Sequence, residues 1–191
     1  MALWLSENDV YEVLKDSIYE LVVRLDEAHR DHQSWDSHPR IRHDTPSGRY
    51  QYMGAVVPSE GAMGLKTYVG TRRSGYQGVV VLFDLDSGEL LSVMACDILG
   101  RWRTGAASAV AAMHLAKRDA VVFGLIGSGR QAMTQLAAVR TVCEIRETKV
   151  FSRDVGRLES FCQAAEERFH MAVSPVRSSQ LAAAGADIVT T

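Results

Sequence analysis

Cysteine is scarce in this sequence, and its few occurrences form no pattern. The three cysteines are an odd, scattered set with no Cys-x-x-Cys spacing: Cys96, Cys143 and Cys162. This usage argues against a disulfide framework and is typical of reduced, mostly buried thiols in a cytosolic protein.

Net charge and long hydrophobic runs are equally scarce. The formal charge is only −2 at pH 7, which gives no reason to expect nucleic acid or an anionic membrane as a partner. No apolar run approaches the roughly 20 residues of a membrane span, and the N-terminus lacks the features of a signal peptide. We therefore predict a globular, cytoplasmic protein with neither kind of partner.

The histidines do not indicate a metal site. Glu27, His29, Asp31 and His32 crowd one short stretch, but nothing supplies a defined third ligand, and charged helix ends are usually solvated. We expect no bound metal.

What the sequence does contain is a glycine turn between a strand and a helix. Residues 120–132 read AVVFGLIGSGRQA, an apolar run that predicts a buried parallel strand followed by glycines. Gly127 permits a tight turn, Gly129 lets the backbone approach a pyrophosphate, and Ala132 is the small residue where helix packs on strand. With a second strand predicted at Lys149–Ser152, the pattern indicates a dinucleotide-binding site.

The first part of the chain has a different organisation. Ser6-x-x-Asp9 resembles a capping box, and apolar spacing from Val10 predicts one amphipathic helix to about Arg30. An alanine-rich helix is expected from Thr104 to Lys117, with small side chains that allow close packing. Between the helices, alternation predicts an antiparallel sheet, with Asp86-Ser-Gly88 as a hairpin turn. Its strands are expected at Arg49–Val57, Met63–Val69, Val79–Asp84 and Leu90–Cys96.

The predicted fold class is α/β, with two parts. Residues 1–118 would form an α+β domain for substrate binding and dimerisation, and residues 119–191 the first part of a Rossmann-type, doubly wound parallel sheet. That second part has room for four strands, whereas a complete domain of this type has six. The four are expected at Val121–Ile126, Lys149–Ser152, His170–Val173 and Asp187–Thr190.

Two basic residues of the first part invite a chemical interpretation. Lys66 lies inside an apolar strand and shares a face with Gly64 and Tyr68; it either reaches solvent or faces something that packs close to Gly61 and Gly64. Arg103 is expected at the start of the alanine-rich helix. The helix dipole disfavours a cation at this end, unless an anion is bound between the guanidinium and the helix amides. The alternative, that Arg103 points into water, is equally open.

Several motifs together resemble the ornithine cyclodeaminase/mu-crystallin family. They are Gly64-Leu-Lys66, Arg103-Thr-Gly-Ala-Ala-Ser108, Gly124-Leu-Ile-Gly-Ser-Gly-Arg-Gln131, the hairpin 82–89 and the final Gly185-Ala-Asp-Ile-Val-Thr-Thr191. The resemblance covers nearly the whole chain. It implies a homodimer whose N-terminal sheet forms the subunit contact and the substrate pocket. It also implies a nicotinamide cofactor that acts on a small α-amino acid or imino acid.

The resemblance also assigns roles to residues. Arg40, Lys66 and Arg103 would hold the substrate carboxylate, although Arg42 competes with Arg40 for its role. The turn from Gly127 to Gln131, comprising Gly127, Ser128, Gly129, Arg130 and Gln131, would hold the cofactor pyrophosphate. No catalytic residue is assigned in this chain, because the family's proton-transferring aspartate is expected beyond Thr191.

The position after the second cofactor strand bears on which nicotinamide cofactor is used. An acidic residue there would bond the ribose 2′-hydroxyl of NAD, whereas Ser152-Arg153 can pair with a 2′-phosphate. We therefore favour NADP(H), with NAD(H) possible because Asp154 follows directly.

Three functions remain open at this point. The first is an NAD(P)-dependent oxidoreductase that reduces cyclic imino acids or oxidises small amino acids. The second is an ornithine cyclodeaminase, a lyase forming proline and ammonia. Gln51 disfavours this second function, because the ornithine cyclodeaminases of the family look to have a glutamate at the position of Gln51. The third is an inactive, truncated remnant that at most binds ligand or dimerises, since the chain stops at the end of a predicted buried strand.

Overall fold

The structure, a computed structural model, describes residues 1–31, 35–71, 73 and 75–191. It divides into two compact units, each made from two stretches of chain. The first unit contains Met1–Asp16 and Glu27–Gly100, and the second contains Ser17–Asp26 and Arg101–Thr191. By packing, the division therefore lies between residues 100 and 101. The proposed functional boundary at residue 118 stays a prediction.

Six α-helices and eleven β-strands are present in the described residues. The helices are α1 Glu7–Leu14, α2 Ile18–Arg30, α3 Asp97–Leu115, α4 Ala132–Val139, α5 Val155–Phe169 and α6 Ser179–Ala183. The strands are β1 Leu3–Leu5, β2 Asp36–Ser37, β3 Ile41–Thr45, β4 Gly48–Val57, β5 Ala62–Thr71, β6 Gly75–Asp84, β7 Leu90–Ala95, β8 Val122–Ile126, β9 Glu147–Phe151, β10 Ala172–Pro175 and β11 Ile188–Thr190. None of these helices is long and apolar enough to cross a bilayer.

A mixed, mostly antiparallel sheet forms the centre of the first unit. Its strand order is β1-β7-β6-β5-β4-β2, and β3 also pairs with β4. All pairs are antiparallel except β1 with β7. The four predicted strands are confirmed as β4 to β7, and the predicted hairpin is confirmed because the Asp84 carboxylate accepts from the backbone N–H of Ser87 at 2.8 Å in its turn.

The predicted single N-terminal helix is wrong, because two helices occupy its range. The capping box is confirmed: Ser6 Oγ accepts from the Asp9 N–H at 3.3 Å, and the Asp9 carboxylate accepts from the Ser6 N–H at 2.8 Å. The break falls at Lys15–Ser17, where Asp16 and Ser17 favour helix ends over helix interiors. The Ser17 carbonyl then accepts the first bond of α2, from the Leu21 N–H at 2.9 Å.

The second unit is built on a parallel sheet of four strands, in the order β10-β9-β8-β11. If the four strands are numbered from 1 in chain order, starting with β8, their order across the sheet is 3-2-1-4. This is the first part of the standard doubly wound order. The four predicted strands are therefore confirmed, with boundaries shifted by one or two residues. The core of this unit is apolar; its least exposed members are Phe123, Leu125, Leu136, Val139, Val150 and Ala165.

The alanine-rich helix α3 begins earlier than predicted, at Asp97 instead of Thr104. Its first turn is capped from far away in the sequence: the Glu7 carboxylate accepts from the backbone N–H of Asp97 and of Ile98, both at 2.8 Å. The expected close packing of this helix is confirmed. A Cβ added at Gly105 would lie 2.4 Å from the Thr134 carbonyl oxygen of α4.

Candidate functional site

The glycine turn after β8 has the geometry that a dinucleotide needs. Gly127 has φ +117°, a conformation that residues with a side chain rarely adopt, and its N–H donates to the Phe151 carbonyl at 2.7 Å. A Cβ added at Gly129 would meet nothing within 4 Å, so open space lies beside the backbone there. Ala132 is buried and begins α4.

A pocket of about 480 Å³ opens at the carboxyl ends of β8 and β9. In doubly wound sheets, ligands bind at this end of the strands. The predicted Gly127, Ser128, Gly129, Ser152 and Arg153 all line the pocket, together with Ile126, Phe151, Asp154, Arg157 and Ser179.

Arg130 and Gln131 are not among the residues that line this pocket. Both belong to the turn that leads into α4, and Gln131 is its N-cap residue. The Gln131 side chain makes no capping hydrogen bond, and the N–H of Ala132, the first residue of α4, donates to the Gly129 carbonyl at 3.1 Å. The positive end of the α4 dipole favours an anion at this turn.

Asp154 has a structural role that the sequence left open. It is the N-cap of α5, with its carboxylate accepting from the Arg157 backbone N–H at 3.0 Å and from Arg157 Nε at 2.6 Å. These two hydrogen bonds lower the pKa of Asp154. Arg157 was missed as a pocket residue, although the Asp-x-x-Arg spacing at a helix start could have indicated it.

The first unit brings two of the predicted substrate residues to one aromatic ring. Lys66 Nζ lies 5.4 Å from the centroid of the Tyr68 ring, and Arg40 Cζ lies 6.0 Å from the same centroid. Tyr68 is only 9% exposed, and its ring packs 4.8 Å from that of Tyr76. Two cations on a buried aromatic surface can bind a carboxylate.

The neighbour that packs close to the Lys66 strand is another strand. A Cβ added at Gly64 would lie 2.9 Å from the Val81 carbonyl oxygen of β6. Gly61, in contrast, has open space and φ +60°, which places it in the turn before β5. The two glycines therefore do not indicate a ligand beside Lys66.

Arg40 and Arg42, the two candidates for the carboxylate-binding arginine, contact different side chains. Arg42 Nε donates to Gln51 Oε1 at 3.3 Å, while Arg40 faces Tyr68. This arrangement supports Arg40 over Arg42 as the carboxylate-binding arginine.

Arg103 does not lie where the sequence placed it. It is exposed in the second turn of α3 and belongs to the second unit, so the argument that it stands at a helix N-terminus is wrong. The amides at the true start of α3 do hold a carboxylate, but it is that of Glu7.

The structure gives no support for a metal site. In the described part of the chain, no three His, Cys, Asp or Glu side chains gather as metal ligands would, and His32 lies outside that part. Cys96, Cys143 and Cys162 are free thiols.

Comparison with known proteins agrees with this geometry. The model of the ornithine cyclodeaminase/mu-crystallin family matches residues 5–191. The chain belongs to this family. It is 31% identical over 185 residues to the ornithine cyclodeaminase of Agrobacterium fabrum, covering 93% of this chain and 51% of that protein. It is 32% identical over 161 residues to a Δ1-pyrroline-2-carboxylate reductase of Bacillus cereus, covering 79% and 50%.

Solved structures of family members have the same fold. Δ1-Pyrroline-2-carboxylate reductase of Thermococcus litoralis, in complex with NADH and L-proline, superposes with a TM-score of 0.90 at 25% identity, covering 98% of this chain and 60% of that one. An archaeal alanine dehydrogenase dimer with bound NAD gives a TM-score of 0.87 at 27% identity, covering 95% and 57%. The chain described in this structure thus spans about half the length of the curated relatives it matches.

Proposed function

We propose that this chain binds a nicotinamide dinucleotide and a small α-amino acid, or its cyclic imino acid, for hydride transfer between them. The observation that carries the proposal is the glycine turn from Gly127 to Gly129 at the end of β8, in a sheet of order 3-2-1-4. The open space beside Gly129 and the position of the turn at the start of α4 fit a pyrophosphate. The bound nicotinamide would supply the redox chemistry, and this chain's residues would hold and orient both molecules.

The proposed roles follow the family pattern. Residues 1–118 would bind substrate and dimerise, with Arg40 and Lys66 on the substrate carboxylate; Arg103 is proposed for the same role on the family resemblance alone, because its predicted place at the start of α3 is wrong. Residues 119–191 would bind the cofactor. Two solved relatives, a Δ1-pyrroline-2-carboxylate reductase in complex with L-proline and an alanine dehydrogenase, support a small amino or imino acid as the substrate. The acid–base aspartate is proposed to lie beyond Thr191, so no described residue is assigned proton transfer.

We favour NADP(H) over NAD(H) as the cofactor. Ser152 and Arg153 follow β9 and line the pocket, and they offer a hydroxyl and a guanidinium where NAD-specific sites have an acid. The solved relatives hold NADH or NAD, so this chain would differ from them in its choice. A titration in which NADH binds as tightly as NADPH would contradict the preference.

The second candidate function is ornithine cyclodeamination. The similarity to the Agrobacterium fabrum enzyme favours it, and Gln51 in place of a glutamate disfavours it. Proline formed from ornithine with a catalytic amount of cofactor would establish this activity; amino-acid oxidation or imine reduction with stoichiometric cofactor would support the first.

We also propose that the protein is a homodimer and is located in the cytoplasm. The archaeal alanine dehydrogenase of similar structure is a dimer, and an apolar groove of about 460 Å³ runs along β4 and β5, lined by Ala55, Val56, Met63 and Leu65 among others. Sedimentation of this chain at micromolar concentration would measure its oligomeric state.

A pair of glycine variants tests cofactor binding directly. Gly129→Ala adds a methyl group that meets nothing in the protein, so the melting temperature should not change. The methyl group would occupy the space proposed for the pyrophosphate and should weaken NADPH binding about tenfold or more. Gly70→Ala is the matched control, because its Cβ also meets nothing within 4 Å and it lies in β5, outside the pocket. Equal NADPH affinity in both variants would overturn the proposed site.

A further inference from the structure

We propose that Arg157, held in place by Asp154, is a second cation for the 2′-phosphate of NADP(H) and helps the pocket to select that cofactor over NAD(H). The inference rests on the proposed function and adds a specificity-determining residue to it. It concerns the adenosine end of the cofactor alone.

Arg157 is placed by the first turn of α5 at the same pocket as the predicted cofactor residues. It lines the cavity together with Ser152 and Arg153, which follow the second strand of the 3-2-1-4 order. Its side chain is 74% exposed, so its guanidinium is accessible to a ligand. Two arginines, one directly before Asp154 and one three residues after it, thus line the same pocket.

Asp154 is the residue that would oppose this choice if its carboxylate were available to a ribose. In NAD-specific sites of this fold, an acidic side chain after the second strand bonds the ribose hydroxyl. Here one Asp154 oxygen accepts from the Arg157 backbone N–H and the other accepts from Arg157 Nε. Each Asp154 oxygen thus accepts one hydrogen bond from Arg157, which fixes the carboxylate against that side chain and makes Asp154 a support for it.

The remaining charges favour a phosphate. The ionisable side chains lining the pocket are Arg153, Asp154 and Arg157, which sum to one positive charge. The ion pair uses one of the five N–H donors of the Arg157 guanidinium, and the others can form the paired hydrogen bonds that guanidinium makes with phosphate. A 2′-phosphate is a dianion or nearly so, whereas a ribose hydroxyl is neutral.

Two nucleotides separate recognition of the 2′-phosphate from the rest of the site. Adenosine 2′,5′-bisphosphate and adenosine 5′-monophosphate differ only in that phosphate, and calorimetry with the 191-residue chain measures both affinities without turnover. The wild type should bind the bisphosphate more tightly. Arg157→Gln should weaken the bisphosphate about tenfold and change the monophosphate less than about twofold, because one charge-assisted interaction is lost.

Two further variants complete the experiment. Arg146→Gln is the matched control, since Arg146 forms a similar exposed ion pair with Glu144 at 2.8 Å and does not line the pocket; it should bind both nucleotides like the wild type. Asp154→Asn keeps a good N-cap residue but removes the carboxylate. It should leave monophosphate binding unchanged and weaken bisphosphate binding, because Arg157 then loses the carboxylate that holds its guanidinium in place.

The outcomes distinguish this inference from the function beneath it. Bisphosphate binding that Arg157→Gln leaves intact would overturn the role of Arg157 while keeping the cofactor site. Weakened monophosphate binding in Asp154→Asn would make Asp154 a ribose ligand and would equally overturn the inference. A wild-type chain that binds neither nucleotide would overturn the proposed function itself. Melting temperatures should stay close to the wild type, because exposed ion pairs contribute little.

Discussion

Asp187 joins segments of the second unit that lie far apart in the sequence. One of its carboxylate oxygens accepts from the backbone N–H of Val121 at 2.9 Å and of Val122 at 3.0 Å, and the other accepts from Lys117 Nζ at 3.1 Å. These donors, the two backbone amides first, lower the pKa of Asp187 to about 2. The ionised carboxylate therefore stabilises the start of β8.

Asp187→Asn should lower the stability of the protein in a pH-dependent way. The folded-state pKa lies below the value of about 3.9 for an unfolded aspartate, so the contribution is complete above about pH 4 and is lost as the pH falls towards 2. The difference between wild type and variant in the urea midpoint should be largest at neutral pH and should shrink in acid. Asp119→Asn, at an exposed carboxylate before the same strand, serves as the control. A difference that is constant with pH would contradict the role of the charge.

Single residues also show which positions the local sequence could place and which it could not, while their roles in binding stay predictions. The glycine turn and the Ser152-Arg153 pair line one pocket as the local pattern predicted, because strand, turn and helix are contiguous in the chain. Arg103 was misplaced because the cap of its helix comes from Glu7, about 90 residues earlier. Local spacing carries no record of such a partner.

At the scale of elements, helix α3 contains two glycines in different surroundings. A Cβ at Gly105 would lie 2.4 Å from the Thr134 carbonyl oxygen, which is backbone and cannot move aside without shifting α4. A Cβ at Gly100 would meet only Lys66 Nζ, at 3.5 Å, the flexible end of a side chain. The same substitution in one helix should therefore have opposite effects.

Gly105→Ala should destabilise the protein by about 1–2 kcal/mol, because overpacking outweighs the gain of about 1 kcal/mol in helix propensity. Gly100→Ala should be neutral or slightly stabilising, since propensity then acts without a clash. Urea unfolding of the two variants measures the difference. If Gly105→Ala were as stable as Gly100→Ala, the close contact between α3 and α4 would not exist in solution.

Elements with a strong period were predictable, and their ends were less so. Strands β4 to β9 follow runs of β-branched and apolar residues, so their existence was predicted correctly. The N-terminal apolar spacing continues through Lys15–Ser17, which concealed the break between α1 and α2. Strand β3 is exposed at every position and has no apolar face, so hydrophobic periodicity could not reveal it.

Across the whole chain, the second unit has the strand order of one half of a doubly wound nucleotide-binding fold, with one strand beyond it. In such folds the first three strands hold the adenosine half of the cofactor, and the strands after the reversal of order hold the other half. The described sheet contains three strands of the first kind and one, β11, beyond the reversal. Most of the residues that line the pocket lie at the ends of β8 and β9, where the adenosine half would bind, and Ser179 comes from the start of α6.

The affinity of this chain for a dinucleotide should therefore come almost entirely from its adenosine half. NADPH and 2′-phospho-ADP-ribose, which keeps the pyrophosphate but lacks the nicotinamide, should bind the 191-residue chain with dissociation constants within about threefold of each other, since contacts beyond the pyrophosphate add little when few residues meet the nicotinamide. Nicotinamide mononucleotide alone should not compete with either. Parallel calorimetric titrations give both constants under one buffer. Binding of NADPH about tenfold tighter than 2′-phospho-ADP-ribose would instead show that this chain holds the nicotinamide end as well, and that the described strands provide more of the site than their order indicates.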